Sequence, residues 1–397
     1  MTAALSTLEQ RLPVRTGAEL SPVYITGTGA LLPGAVVDND HMEDFIGRLP
    51  AGCSALGRRA LRWNGIRGRH YALDQDGGWR HSNASMCADA VRLALDAAGL
   101  DRAGIDCLAA ATTQGDLLVP GHASAVHGEL GGGPLELASF QSVCASSLMA
   151  AKYAWMSVRS GEAACAAAVA GEFSSRWFRP SFYEGGGLVD AKGRLAMAAD
   201  FLRFTLSDGA GAVVMERRPR GEGLSLKVDW IDLVSLADRF DPCMWAGATP
   251  ERRTERDGAW SHDGPAAAHL NGAIALQQDF TLLKAVIRAW IGVYLEKVES
   301  GRIDPAAVDH LLCHYSAQSL REEIVGLLEA TDAMIPQERW FTTLAESGNV
   351  GSASIWIMLD GLVRSGRLKA GERILCIVPE SGRAMVGFMM LEAVEAV

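Results

Sequence analysis

The sequence predicts an α/β protein in which a parallel-rich sheet is covered by helices on both faces. Its predicted strands are unbroken apolar runs rather than alternating ones, which is typical of strands buried on both faces. Helical patterns lie between these runs, so strands and helices alternate along the chain. The order of elements in the first half of the 397 residues also recurs in the second half.

The first half, predicted as residues 22–220, follows an N-terminal arm of residues 1–21. Its most regular helix has apolar residues on one side and ends at Gly99, a residue type that commonly terminates helices. In order, the predicted elements are a strand at 23–29, a helix at 81–98, strands at 105–112 and 135–141, a helix from 144 to about 160, a strand at 165–171, and a Gly-rich turn and strand at 206–216.

The second half, predicted as residues 221–397, contains a segment of different character near its start. Residues 234–265 are polar, contain Trp and Pro and lack a clear period, so they are predicted as an inserted loop. The elements that follow are a helix at 273–295, a strand at 308–313, helices at 319–330 and 349–363, and strands at 373–378 and 385–391.

A short repeat relates the two halves. Val-Arg-Ser-Gly ends the helix after Cys144 at residues 158–161 and ends a second helix at residues 363–366. The two copies are 205 residues apart, which is also the separation of Cys144 and Asn349. Each of these two residues therefore opens a helix at an equivalent position. A chance match of four residues is the alternative, but the matching order of elements favours a duplication.

Composition limits the class of protein and its surroundings. The formal net charge of −10 and the pI of about 5.4 argue against a nucleic-acid-binding protein, whose binding surface is basic. The eight cysteines form no Cys-x-x-Cys pair, so neither a zinc site nor a redox motif is indicated. Residues 1–21 contain no apolar core of signal-peptide length, and no apolar run in the sequence reaches the length of a membrane helix. We expect a cytoplasmic protein.

Cys144 is the candidate nucleophile because it stands at a predicted helix start. Small residues follow it, and Leu148, Ala151 and Trp155 continue at helical spacing. The positive end of a helix dipole favours a thiolate, which is the attacking form of cysteine. The alternative is a buried structural cysteine, the commoner fate of a free Cys.

His314 and Asn349 are the other candidates for chemistry. His314 ends a predicted strand, and Asn349 follows Gly348 at a predicted helix start. In a duplicated α/β unit, strand ends and helix starts lie near one face, and ligands favour the carboxyl ends of strands. We therefore expect Cys144, His314 and Asn349 to converge. A structural histidine and a turn or cap asparagine are the alternatives.

These residues resemble the thiolase superfamily and, within it, β-ketoacyl-acyl-carrier-protein synthase III. The resemblance spans residues 22–395 and rests on the order and spacing of several segments, namely 25–33, 62–70, the turn at Cys144, 207–212 and 348–354. It implies a thiolase-like fold of duplicated βαβαβ halves in a five-layered αβαβα arrangement.

The resemblance also implies a two-step acyl transfer. Cys144 takes an acyl group from a thioester, while backbone N–H groups of Cys144 and of a turn at Gly382 and Arg383 hold the oxyanion. His314 and Asn349 then donate hydrogen bonds to the carbonyl of a malonyl or β-ketoacyl thioester, whose enolate accepts the acyl group. Such acyltransferases use coenzyme A or phosphopantetheine thioesters and hold no permanently bound cofactor or metal.

Binding residues and partners are implied in the same way. Arg62 matches an arginine that binds coenzyme A or the pantetheine carrier, and Val119 stands where a partner-subunit residue closes the acyl pocket. Arg67, Arg69 and Arg321 are expected to form a docking patch for an acidic acyl-carrier protein. The resemblance further implies a homodimer.

Four departures from the family pattern point to a specialised enzyme of fatty-acid-derived or polyketide secondary metabolism. One is Val119, which stands where the family has a Phe of the partner subunit. Tyr-Ser-Ala-Gln follows His314 instead of Gln-Ala-Asn, and the segment 173–206 is longer than usual. Ser381-Gly382-Arg383 replaces a Gly-Gly-Gly loop, which places a bulky cation near the acyl site. Synthases that form dialkylresorcinol or cyclohexanedione products are one group that the sequence resembles.

Two rival functions remain open from the sequence. The same three residues suit acyl transfer to an alcohol or amine, with His314 as general base. A non-catalytic partner subunit that lines a pocket or scaffolds a complex is the second rival, and the intact Cys-His-Asn set speaks against it.

Overall fold

The computed structural model describes residues 20–49, 57, 61–185, 187–192, 194–255, 257 and 259–395. Most of the predicted N-terminal arm, residues 1–19, lies outside the described residues. Within the described part of the chain, no helix combines the length and the apolar character that crossing a membrane requires.

Nine strands of the described residues form one large sheet. They are β1 (Tyr24–Leu31), β2 (Cys107–Thr112), β3 (Glu136–Gln141), β4 (Cys165–Glu172), β5 (Gly209–Glu216), β6 (Leu224–Ser235), β7 (His310–Cys313), β8 (Arg373–Glu380) and β9 (Met385–Glu395). Their spatial order is β7-β8-β9-β6-β1-β5-β4-β2-β3. Two short antiparallel pairs lie apart from it, Val37–Asp38 with Gly68–Arg69 and Met244–Trp245 with Gln277–Gln278.

Seven longer helices of the described residues pack against this sheet or line the cavity between its elements. They are α1 (Asn83–Ala98), α2 (His122–Leu130), α3 (Ser146–Ser160), α4 (Met197–Thr205), α5 (Phe280–Glu299), α6 (Gln318–Glu329) and α7 (Ser354–Arg364). Shorter helices lie at Met42–Ile46, Trp260–Asp263, Pro265–Leu270 and Leu344–Ser347. The ends of α1 follow the sequence signals, because the Ser82 hydroxyl accepts from the Ser85 N–H and Gly99 adopts a left-handed φ of 71°.

The sheet shows the duplication directly. In the first half β2 and β4 are parallel and are followed by antiparallel β5 and β1. In the second half β7 and β8 are parallel and are followed by antiparallel β9 and β6. The counterpart of β3 is reduced to one parallel bridge between Leu311 and Trp340. The halves join where Tyr24 and Ile25 of β1 pair with Lys227 and Leu226 of β6.

Helices α3 and α7 form the central layer between the two halves of the sheet. Leu148 of α3 and Trp356 of α7 pack in one core with Val213 of β5 and Ile374 of β8. Helices α1 and α2 cover the outer face of the first half, and α5 and α6 cover the outer face of the second. This arrangement confirms the predicted five-layered αβαβα fold and explains why the strands are apolar on both faces.

Some predicted boundaries were wrong for local reasons. The helix predicted from Ala273 begins at Phe280, because the Asp279 carboxylate caps it by accepting from the N–H groups of Thr281 and Leu282, each at 2.9 Å. The helix predicted from Asn349 begins at Ser354 after a tight turn at Gly351–Ala353. The predicted loop at 234–265 includes a short strand and a short helix.

Candidate active site

Cys144, His314 and Asn349 lie on the wall of one cavity. The cavity has an empty volume of about 990 Å³. Cys144 stands two residues before α3, His314 directly follows β7, and Asn349 lies in the turn that leads to α7. The structure therefore brings together the three residues that the sequence analysis singled out from different parts of the chain.

The two segments that the sequence analysis marked as unusual also line this cavity. The longer segment after β4 supplies Phe173, Trp177 and Leu202, and the segment after β6 supplies Met244 and Ala246. Helices α5 and α6 close the other side with Leu283, Ile287, Trp290, Leu320 and Ile324. The wall around the three polar residues is thus largely apolar, as expected of a pocket for a small organic ligand.

The surroundings of Cys144 favour the neutral thiol. Burial raises the pKa of the Cys144 thiol well above its usual value, and the nearby carboxylates of Glu380 and Glu172 raise it further. Helix α3 begins only at Ser146, so its dipole acts from two residues away. Burial and the two carboxylates therefore outweigh the stabilisation of a thiolate that was predicted from the helix dipole. Forming the attacking thiolate needs a proton acceptor in the site.

His314 is neutral in this environment. Burial lowers the pKa of the His314 imidazole to about 4. Its position is fixed by the sheet, since its backbone N–H donates to the Ile377 carbonyl at 2.9 Å. A neutral imidazole accepts a proton at one ring nitrogen and donates from the other.

The side chain of Asn349 is oriented by the turn that holds it. Its backbone N–H donates to the Thr205 carbonyl, and its own carbonyl accepts from Ser207. The side-chain Oδ1 accepts from the Gly351 N–H at 2.9 Å. Because the oxygen is used inside the turn, the Nδ2 group is the part of the amide that can donate to a ligand in the cavity.

A buried carboxylate, Glu380, holds the turn that carries Cys144. It accepts from the Ser142 hydroxyl at 2.7 Å and from the Ala145 N–H at 3.1 Å. Burial raises its pKa, which these hydrogen bonds partly offset. Glu380 was not among the residues predicted for the site, although a glutamate directly after the apolar run 374–379 was a usable signal.

A second buried carboxylate, Glu172, ties together two loops of the cavity wall. It accepts from the N–H and hydroxyl of Thr113, at 3.1 and 2.8 Å, and from the N–H and hydroxyl of Ser352, at 3.3 and 2.5 Å. Burial raises the pKa of Glu172 to about 6 despite these four donors. Glu172 was also missed, since it ends the apolar strand β4 and looked like a strand terminus.

The three residues of the turn that was predicted to supply oxyanion donors, Ser381 to Arg383, have different surroundings. Ser381 lines the cavity beside Cys144. The Gly382 carbonyl accepts from the Cys243 N–H at 2.8 Å, and the exposed Arg383 side chain donates from Nε to the Phe240 carbonyl at 2.9 Å. The predicted bulky cation is therefore held on the surface by a backbone carbonyl.

The predicted binding residues are spread over the surface, with one exception. Arg62 and Val119 are exposed, and Arg67 is exposed and paired with Glu346. Arg321 is half-buried, with its guanidinium 4.9 Å from the centre of the Trp340 ring. The prediction that Arg69 belongs to a docking patch was wrong, because Arg69 is fully buried and donates to Asn39 Oδ1 and the Phe204 carbonyl.

Removing the charge of Glu380 is expected to make Cys144 more reactive. In Glu380→Gln the amide still accepts a hydrogen bond, but the negative charge beside the thiol is gone, so the pKa of Cys144 falls toward its usual value. One pKa unit is a tenfold change in thiolate. We expect iodoacetamide to alkylate Cys144 on the order of tenfold faster at pH 8, with the rate profile shifted to lower pH.

The exposed Glu338→Gln variant carries the same change of charge and serves as the control for that experiment. Intact mass after timed quenching measures the alkylation rate in all three proteins. An unchanged rate in folded Glu380→Gln would show that its charge does not act on the thiol.

Comparisons with known proteins agree with this fold. The family model described as "3-oxoacyl-[acyl-carrier-protein] synthase III C terminal" matches residues 298–390. The model described as "beta-ketoacyl synthase, N-terminal domain" matches residues 133–220. A beta-ketoacyl-[acyl-carrier-protein] synthase III of Hyphomonas neptunium is 27% identical over 353 residues, covering 89% of this chain and 93% of the relative. The corresponding synthase III of Caulobacter vibrioides is 27% identical over 352 residues, covering 88% and 94%.

Solved structures share the fold. AbyA1, described as a tetronic acid condensing enzyme, aligns with a TM-score of 0.71 at 23% identity over 93% of this chain and 99% of its own. A single-residue variant of OleA from Xanthomonas campestris aligns with a TM-score of 0.71 at 19% identity over 95% of this chain and 100% of its own.

Both family models describe ketosynthases, which are condensing enzymes, and each matches part of one half of the chain. Along about nine-tenths of its length the chain is similar to the β-ketoacyl-[acyl-carrier-protein] synthase III ketosynthases.

Proposed function

We propose that this protein forms a carbon–carbon bond between an acyl group carried on Cys144 and the enolate of a malonyl or β-ketoacyl thioester. The observation that supports this most strongly is the pairing of a neutral imidazole, His314, with the Nδ2 group of Asn349 on the cavity that also holds Cys144. Two neutral donors suit a carbonyl oxygen on which negative charge develops.

In the first step the Cys144 thiol attacks the carbonyl carbon of an acyl thioester. The thiol proton passes to His314, which burial keeps neutral and thus able to accept it. The carbonyl oxygen becomes an oxyanion held by backbone N–H groups at Cys144 and at the turn of Gly382 and Arg383. The bond to the leaving sulfur then breaks, and that thiolate takes the proton.

In the second step the acceptor thioester forms an enolate. With a malonyl thioester, the bond to the carboxylate breaks, CO₂ leaves, and the electron pair moves to the thioester carbonyl, where His314 and Asn349 donate hydrogen bonds. The enolate carbon attacks the acyl carbonyl on Cys144, the new carbon–carbon bond forms, and the Cys144 thiolate leaves. A β-ketoacyl acceptor forms its own enolate by giving an α-proton to His314, which passes that proton to the Cys144 thiolate when the thiolate leaves.

The donors and partners follow from the same chemistry. Coenzyme A or an acyl-carrier protein supplies the acyl group, and exposed Arg62 and half-buried Arg321 are the candidates to bind it. A homodimer is supported by the outer strand β3, which pairs on one side with β2, and by the exposed Leu117, Leu118 and Val119. The proposed setting is the cytoplasm, in secondary metabolism.

Acyl loading tests this function. The pure protein and Cys144→Ala are incubated with acetyl, butanoyl, decanoyl and hexadecanoyl thioesters of coenzyme A and of a carrier protein. We expect an adduct of acyl mass on the wild-type protein and none on Cys144→Ala, by intact mass and peptide mapping. The loaded protein then receives malonyl or β-ketoacyl thioesters, and the product is identified by mass.

The outcomes separate this function from its rivals. Loading followed by transfer to an alcohol or amine, with none to malonyl or β-ketoacyl carbon, would favour the acyl-transfer alternative. No adduct from any donor with folded protein would favour a non-catalytic partner subunit.

A further inference from the structure

A second cavity adjoins the active-site cavity in the second half of the molecule. It has an empty volume of about 450 Å³ and lies between α5, α6 and the strands β7 and β8. The residues that line this cavity and not the active-site cavity include Tyr294, Cys313, Leu328, Ile335, Trp340 and Val386. None of the chemistry described above uses it.

The two cavities share part of their walls. Ile287 and Trp290 of α5, Ile324 of α6, and Pro379 of β8 line both of them. These four side chains, which we call the neck, stand between the space beside Cys144 and the second cavity. An apolar chain that extends from Cys144 into the second cavity has to pass between them and contacts mostly apolar surface there.

Most polar groups of the second cavity are satisfied or neutral, and the exception is the Trp290 Nε1 group at the neck, which is buried without a hydrogen-bond partner. The Tyr294 hydroxyl donates to the Ala333 carbonyl at 2.8 Å. Burial raises the pKa of the Cys313 thiol to about 12, so the thiol carries no charge. The other walls are hydrocarbon or indole, which give an ordered water few partners. The atoms around an unfilled apolar cavity lack van der Waals contacts on one side, and methylene groups in the cavity restore those contacts.

We propose that the second cavity receives the terminal part of a long, unbranched acyl chain carried on Cys144. This inference rests on the proposed function and specifies its substrate as a long-chain acyl thioester. Each methylene group that leaves water favours the complex by a factor of about four. An acyl chain too short to pass the neck gains no binding free energy from this cavity. The preference for long chains therefore comes from the second cavity, which lies beyond Trp290.

Filling the second cavity is the direct test. Leu328→Trp adds an indole from α6 at a position that lines only the second cavity. Leu327→Trp makes the same change at the neighbouring, half-buried position of α6 and serves as the control. Loading of Cys144 is measured by intact mass with acetyl, butanoyl, decanoyl and hexadecanoyl coenzyme A. A second variant, Ile335→Phe, fills the same cavity from another segment in case Leu328→Trp does not fold.

We expect the filled variants to load acetyl and butanoyl groups within twofold of wild type and hexadecanoyl groups at least tenfold more slowly. Leu327→Trp should keep the wild-type profile. An unchanged profile in both folded filling variants would overturn the inference while leaving the proposed function in place.

Binding of free hexadecanoate separates the inference from the function. It is titrated calorimetrically against Cys144→Ala, alone and combined with Leu328→Trp or Ile335→Phe. We expect at least tenfold weaker binding in the filled proteins. If the wild type loads no donor but filling still weakens hexadecanoate binding, the cavity assignment stands and the proposed function fails.

Discussion

Asn349→Asp is expected to stop condensation while leaving Cys144 acylation intact. The aspartate keeps the oxygen that accepts from the Gly351 N–H, so the turn before α7 retains its hydrogen bond. It replaces the Nδ2 donor with a negative charge beside the position where the enolate oxygen develops. Loss of one donor to such an oxygen costs a factor of about 10²–10³ in rate, and the added charge works in the same direction.

The measurement separates the two steps. Wild-type and variant proteins are loaded on Cys144, the excess donor is removed, and a single turnover with malonyl thioester is followed by mass. Asn271→Asp is the matched control, since its Oδ1 accepts from the Ala273 N–H at 3.0 Å in an exposed turn. If Asn349→Asp condensed at the wild-type rate, Asn349 would not be the hydrogen-bond donor to the enolate oxygen.

Much of the fold could be predicted because burial acts on whole segments. Strands β2 and β4 are buried along their full length, so their apolar runs were visible without any long-range information. The separation of 205 residues between Cys144 and Asn349 was also visible, because duplication preserves the order of elements. The matching order of strands in the two halves of the sheet is the structural counterpart of that repeat.

What could not be predicted depends on contacts between distant residues. Arg69 and Arg67 are two positions apart and chemically identical, yet Arg69 is buried against Phe204 whereas Arg67 is exposed. The protonation state of Cys144 depends on Glu380, which is 236 residues away in the sequence. A helix start alone favours the thiolate, and only the folded chain shows that two carboxylates and burial oppose it.

Glu172→Ala is expected to destabilise the protein and to disturb both loops that carry active-site residues. The carboxylate accepts from the N–H groups of Thr113 and Ser352 and from both hydroxyls. A hydroxyl can rotate to another partner, but a buried N–H cannot, and each unsatisfied group costs about 1–3 kcal/mol. We expect a loss of about 3 kcal/mol or more in the free energy of unfolding, measured by urea denaturation.

The control for Glu172→Ala is Glu216→Ala. Glu216 accepts from the Thr26 hydroxyl at 2.6 Å, a donor that can rotate to another partner when the carboxylate is removed. Its loss should therefore cost about 1 kcal/mol. Equal costs in the two variants would mean that the four donors around Glu172 find other partners.

Glu172→Gln tests the charge of the same residue through the pH dependence of stability. The pKa of Glu172 in the folded protein is raised from 4.5 to about 6, so its contribution is fully present below pH 4.5 and is lost as pH rises through about 6. Glutamine does not titrate. The stability of wild type relative to Glu172→Gln should therefore fall by about 2 kcal/mol between pH 4.5 and pH 7.5. The difference in the free energy of unfolding between wild type and Glu172→Gln could instead stay constant over this range. The folded protein would then hold the charged carboxylate as well as the neutral one, and Glu172 would not need its proton to hold Thr113 and Ser352 together.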